Sequence, residues 1–312
     1  MMERILTVLA QIVLVLFLSP LITGFSRTWK ARLQTRRGPG IFQPYRDLAK
    51  LLRKGMVIPD TASWIFGATP YVLFSTTLLA GLLIPTVSAQ APLSAFGGVL
   101  AVVYLLALGR FFLALGGLDT GSSFGGLGSS REMTISAIAE PALMLAVFTV
   151  AIGAGSTNLS TVAQAALGQS WRFLAPSQML AFAALFIVLI AETGRIPVDN
   201  PATHLELTMI HEAMILEYSG PYLALIEWSA AMKQLVLMTL LVNVFIPFGL
   251  SAGWSAITVL SLILFVVKLL FLAATVVLME TTNAKLRLFR VPELLAVAFI
   301  LSAMALISTF LF

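Results

Sequence analysis

The chain has 312 residues and no cysteine, which excludes disulfides, thiolate-held iron–sulfur clusters and cysteine-based zinc sites. With 59% hydrophobic and 11% charged residues and a mean hydropathy of +0.98, it is too apolar for a water-soluble domain and belongs in a bilayer, as one polytopic domain over 1–312. The formal net charge of +5 follows from loop topology, so it implies no nucleic-acid partner.

Apolar runs of about 20 residues cross hydrocarbon. They predict an all-α integral membrane fold of eight transmembrane helices, near 5–25, 69–89, 98–116, 133–153, 178–193, 223–247, 256–280 and 292–311. The first run is long for a signal peptide and is followed by a basic flank without a small-residue cleavage site, so it reads as a retained span. If the loop after it is cytoplasmic, that side receives the nine Lys and Arg from Arg27 to Lys54 together with Arg131, Arg195, Lys285, Arg287 and Arg290. The other side receives only Arg4 and Arg172. The positive-inside rule then places both termini outside the cytoplasm, with three substantial cytoplasmic loops at about 26–68, 117–132 and 194–222 and a shorter one at 281–291. The expected location is the inner (cytoplasmic) membrane.

In the first of these loops, "YRDLAKLLRKG" predicts an amphipathic helix along the membrane interface, burying Leu48, Leu51 and Leu52. The glycine-rich "GGLDTGSSFGGLGSSRE" lacks the GK[ST] ending and preceding strand of a phosphate-binding loop. It reads as a flexible turn whose Asp119, Ser122, Ser123, Ser129, Ser130 and Arg131 face a partner. In "DNPATHLELTMIHEAM", Asp199 or Asn200 predicts an N-cap with Pro201 in the first turn. An unbroken helix from there would set Glu206 and Glu217, eleven residues apart, on one face until "SGP" ends it. His204 and His211 are seven apart, unlike the i, i+4 pair of a zinc helix, and read as surface or packing residues.

Ionisable residues also fall inside the spans: Glu140 in span four, Glu227 and Lys233 in span six, and Lys268 in span seven. Facing lipid at mid-bilayer, each would cost about 2.5–3.5 kcal/mol on insertion scales, so they must turn inward. Arg110, Glu192 and Glu280 stand nearer the cytoplasmic boundary, where snorkelling is the alternative. Buried pairs that fix helix register are one reading of this set. A proton path is the other, favoured because Glu140, Glu192 and Glu227 lie on three spans at successive depths. Lys233 follows Glu227 by six residues, off its face, and is expected to pair with another helix or a neighbouring subunit.

"RRGPGIFQPYRDLAKLLRKG", "GLDTGSS…GSSRE", "AETGRIPVD" and "EYSG" together resemble the complex I subunit 1 family over nearly the whole chain. The short segment between "RRGPG" and "QP" and the "GLDTGSS" loop resemble its hydrogenase branch, the membrane subunits of formate hydrogenlyase and energy-converting [NiFe] hydrogenases. The resemblance implies a non-catalytic membrane subunit that docks a redox module and helps couple it to proton or sodium movement. It implies a hydrophilic path through Glu140, Glu192 and Glu227, and the other charges within or at the ends of the spans extend the expected proton or ion path to Lys233, Lys268 and Glu280. It also implies a cytoplasmic chamber and docking floor from Arg36, Arg37, Asp47, Lys50, Asp119, Arg131, Asp199, Glu206 and Glu217. The [NiFe] centre and iron–sulfur clusters would belong to hydrogenase-like large and small subunits on the cytoplasmic face, with antiporter-like membrane subunits alongside; this chain is expected to hold no cofactor or metal. Ala202 and His204 depart from the acids usual in quinone-reducing relatives. A quinone-site subunit of a complex I-like oxidoreductase and a stand-alone ion transporter are the alternatives.

Overall fold

A computed structural model describes residues 2–168, 175–200, 209–252 and 259–311. All its described elements are helical, apart from two isolated bridges, Ser88 to Ser251 and Gly98 to Asn158, that tie loops together on the side away from the basic segments. In chain order the helices are α1 (Met2–Leu33), α2 (Gln43–Arg53), α3 (Trp64–Leu83), α4 (Val99–Asp119), α5 (Ser123–Ala154), α6 (Leu159–Gly168), α7 (Pro176–Glu192), α8 (His211–Met214), α9 (Gly220–Phe245), α10 (Val259–Thr282) and α11 (Val291–Leu311).

Seven of these are long and apolar enough to cross a membrane: α1, α3, α4, α5, α9, α10 and the α11 segment. The remaining expected span, α7, is apolar but has 17 residues. Three boundaries differ from the hydropathy reading. α1 and α5 each run 32 residues, about 48 Å at 1.5 Å per residue, and so outlast the roughly 30 Å of hydrocarbon that an apolar window detects. α3 begins at Trp64, earlier than expected, because Ser63 and Asp119 cap its first turn.

The 117–132 stretch is therefore not a flexible loop. Only Thr120–Ser122 separate α4 from α5. Its glycines permit close approach of these helices: a Cβ added at Gly125 would lie 2.2 Å from the Gly117 carbonyl oxygen. The helix expected from Asp199 to Glu217 is also corrected. Met209 and Ile210 are not helical, α8 is a single turn, and the chain is irregular again from Ile215 to Ser219. Glu206 and His204 lie outside the described residues. α6, between the expected spans four and five, was not expected.

Within the bundle α9 is central, with an unbroken buried run from Gln234 to Phe245. α3 and α4 pack as one pair, and α5, α7 and α11 pack as a second group beside it. α1, α10 and α11 are peripheral and leave broad apolar faces exposed. α2 buries Pro44 and Leu48 against α1 and α9, whereas Leu52, expected on that face, is exposed.

Candidate functional site

The charged residues of the spans converge on a central group. Arg110, on α4, is buried to 5% side-chain exposure and reaches carboxylates from two other helices. Its Nη1 donates to Glu140 Oε1 of α5 at 2.8 Å, its Nη2 donates to Glu192 of α7, and its Nε lies 3.7 Å from Oε1 of Glu132, earlier on α5. From α9, Lys233 donates to the same Glu192 at 2.8 Å. Three carboxylates and two cations from four helices thus share one site, so the group carries net charge −1 when all are ionised.

A second group adjoins the first on the same turn of α9. Glu280 of α10, at 1% side-chain exposure, lies between Lys30 of α1 at 2.9 Å and Arg195, after α7, at 3.1 Å. Arg195 also donates to Gln234 Oε1 at 2.7 Å, and Gln234 is the neighbour of Lys233. This group carries net charge +1, and the pair of groups is neutral, as two charge sets sharing a low-dielectric interior must nearly be. Arg110, Glu192 and Glu280 are fully inside; none of them snorkels.

Both groups open on a cavity of about 580 Å³. Its walls include the exposed Arg36 and Arg37, the loop residue Asp199, His211 and Glu212 of α8, and the inner Arg110, Glu192 and Lys233, so it runs from the basic surface to the charged interior. Glu227 of α9 lines this cavity and a smaller one of about 210 Å³ under α2, whose wall also holds Asp47 and Arg27. Burial raises the Glu212 carboxyl above its ordinary value, and the nearby charge of His211 opposes that rise while Glu227 and Asp199 add to it. Glu140 is not on the cavity wall. It pairs with Arg110 from the side of α5 that also carries the buried Ser136 and Leu143, and keeps its side chain 33% exposed.

Several other expected site residues hold the chamber's frame. Asp199 is buried, pairs with Lys285 Nζ at 2.8 Å and accepts from the backbone N–H groups of Asn200, Ile210 and His211, which ties the start of α8 to the segment after α7. Asp119 accepts from Ser63 N–H, Ser63 Oγ–H and Phe66 N–H and so caps α3. Arg131 donates to the Met209 carbonyl at 2.9 Å. Asp47 accepts from Gln43 Nε2 and lies 4.0 Å from Arg27. Lys50 and Glu217 are exposed.

The "EYSG" stretch closes the frame. Ser219 Oγ accepts from Val57 N–H and donates to the Val57 carbonyl, and Gly220, at φ +55°, passes so near the Gly55 carbonyl that a Cβ would be 2.8 Å from it. Lys268 stands apart from the chamber, donating to Asn243 Oδ1 and to the Ile246 carbonyl at the unwound end of α9. Among the described residues no group of three or more His, Asp or Glu is placed to hold a metal ion.

Glu132, Gln234 and Glu212 were not expected among the site residues, and Arg110 was expected only as a boundary charge. Arg110 and Glu140 carried a usable signal: opposite charges buried in two consecutive apolar runs. Gln234 carried none.

A bundle of apolar helices enclosing ion-paired carboxylates, open to one basic face, defines a polytopic membrane protein with a charged interior. The chain belongs to the NADH dehydrogenase family, whose model it matches over residues 5–311. It is 38% identical to hydrogenase-4 component C of Escherichia coli K12 across 95% of this chain and 93% of that one. To formate hydrogenlyase subunit 4 of the same organism it is 37% identical, across 95% of each chain. To an NADH-quinone oxidoreductase subunit of Thermomicrobium roseum it is 30% identical, across 80% of each. Among solved structures, a chain of the membrane-bound sulfane sulfur reductase, an archaeal respiratory membrane complex, shares the fold with a TM-score of 0.86 and 22% identity, covering 98% of this chain and 99% of that one.

Proposed function

We propose that this chain is the ion-coupling and docking subunit of a hydrogenase-type membrane complex. The observation that carries the reading is the Arg110 group, which joins Glu132, Glu140, Glu192 and Lys233 inside the bundle and connects through the large cavity to a basic surface. With three acids to two bases, one added proton neutralises the group. In this reading a redox module seated over Arg36 and Arg37 perturbs the cavity wall, a proton enters past Glu212 and Glu227, and the Arg110 group passes it to Glu140. Glu140 hands it outward, because a partly exposed acid within a span requires a polar neighbour. An antiporter-like membrane subunit would be that neighbour. Glu280 and Lys268 are better read as fixed charges: the first is held between two cations, and the second caps the end of α9.

The same reading takes α7 as an eighth span, since its 17 residues reach about 25 Å and it is packed among α5, α9 and α11. Both termini then lie opposite the basic face, which is cytoplasmic by the positive-inside rule in an inner membrane.

The test is the assembled complex reconstituted in liposomes, with redox turnover and ion uptake measured together. Glu140→Gln keeps the shape and removes the proton carrier; assembly should persist while coupled uptake is abolished. Coupled activity at the native level would refute the role. A second reading, a quinone headgroup in the chamber, is favoured by the cavity's volume, which is in the range of small-molecule sites. A quinone analogue that inhibits the purified complex would support it.

A further inference from the structure

We propose that the outer face of α2 is a binding site for the headgroup of an anionic phospholipid, with Arg46 and Arg53 as its phosphate ligands. Arg46, Lys50 and Arg53 are all exposed and fall on the helix face opposite the buried Leu48. No carboxylate lies within ion-pair distance of any of the three among the described residues. The nearest acid in the helix, Asp47, is turned to Gln43 and Arg27 on the α1 flank. Lys50 and Arg53 complement the C-terminal end of the helix dipole, but Arg46 is in the first turn, where a cation is disfavoured unless an external anion meets it.

The depth of α2 identifies that anion. α1 shows an exposed apolar stripe, Leu6, Leu9, Val13 and Phe17, that stops where α2 begins to cover it at Pro20 to Gly24. A Cβ at Gly24 would fall 1.9 Å from the Ile41 carbonyl, so this contact is close. Tyr45 donates its hydroxyl to the Phe17 carbonyl, toward the apolar stripe, and its ring neighbours that of the exposed Phe42. An interfacial Tyr beside exposed Phe42 and Leu52 sits at the boundary of hydrocarbon and headgroups, which sets the two arginines at phosphate level. Soluble partners approach Arg36 and Arg37 from above; this face looks sideways into the bilayer.

The test is displacement of a fluorescent phosphatidylglycerol from the full-length chain, purified in detergent with its accompanying subunits. Phosphatidylglycerol should compete, and phosphatidylcholine and inorganic phosphate should not. Each basic residue at an anionic surface contributes about fivefold, so Arg46→Gln with Arg53→Gln should weaken binding about twenty-five-fold. Arg287→Gln with Arg290→Gln, the same change in charge at another exposed stretch, should leave it intact. A melting curve establishes that both variants fold. Equal competition by phosphatidylcholine, unchanged binding in the α2 variant or equal loss in the control variant would overturn the proposal. So would release of a soluble subunit by the α2 variant with lipid binding unchanged, since the face would then dock protein.

Discussion

Arg110 holds three carboxylates that no other arginine can reach, so its loss differs in kind from the loss of any one acid. Arg110→Gln leaves Glu132, Glu140 and Glu192 with Lys233 as their remaining cation, and breaking a buried pair from one side costs about 3–5 kcal/mol. The expected outcome is a chain that fails to accumulate or melts markedly lower in detergent, whereas Glu140→Gln, which removes a partly exposed acid, should melt near the native temperature. Equal melting of the two would mean that Arg110 is not the hub. Glu212 gives a residue-scale prediction in pH. Its carboxyl is raised by burial, so above the ordinary carboxylate value the unfolded chain loses this proton first and the native chain holds more protons. Stability therefore falls as pH rises through the window between the ordinary value and the raised one, and Glu212→Gln should flatten that fall in a series of thermal inactivation midpoints. A slope unchanged in the variant would show that Glu212 is not the titrating group.

Between elements, glycine sets the distances that the ion pairs require. Gly125 lets the start of α5 lie against the end of α4, and the same helix pair presents Arg110 to Glu132 and Glu140. Gly125→Ala must move one backbone away from the other, an overpacking change expected to cost about 1–3 kcal/mol and to lower coupled turnover in the assembled complex. Gly126→Ala, whose Cβ would meet only Leu118 Cδ2 at 3.9 Å, should be near neutral in both measurements. This spacing was not legible in the sequence, where the glycines read as a flexible loop, because hydropathy windows see hydrocarbon and α5 begins well outside it. The long apolar helices themselves were legible, and so was the inward turn of Lys233, which pairs with another helix, since lipid forbids the alternative. Asp119 was legible only as a polar loop residue, and Asp199 as a candidate N-cap. Their partners, Ser63 and Lys285, are 56 and 86 positions away, and a single sequence does not disclose a cap that folds back so far.

For the whole molecule, the uneven covering of charge fixes where neighbours belong. Arg110, Glu192 and Glu280 have their side chains buried within this chain, but Glu140 keeps a third of its side chain exposed on a helix that continues to Ala154. Lipid against that carboxylate would cost a few kcal/mol, and in the proposed function a second membrane subunit with a polar group covers α5 there. The exposed apolar residues of α10, Phe271 among them, carry no such charge and suit lipid as they stand. The absence of native cysteine makes this difference measurable. Ala137, one turn before Glu140 and exposed, replaced by Cys should react with a maleimide in the isolated chain and be protected in the assembled complex. Phe271→Cys should react alike in both. Protection of position 271 with free reaction at 137 would place the neighbouring subunit on α10 and leave Glu140 without the outlet that coupling requires.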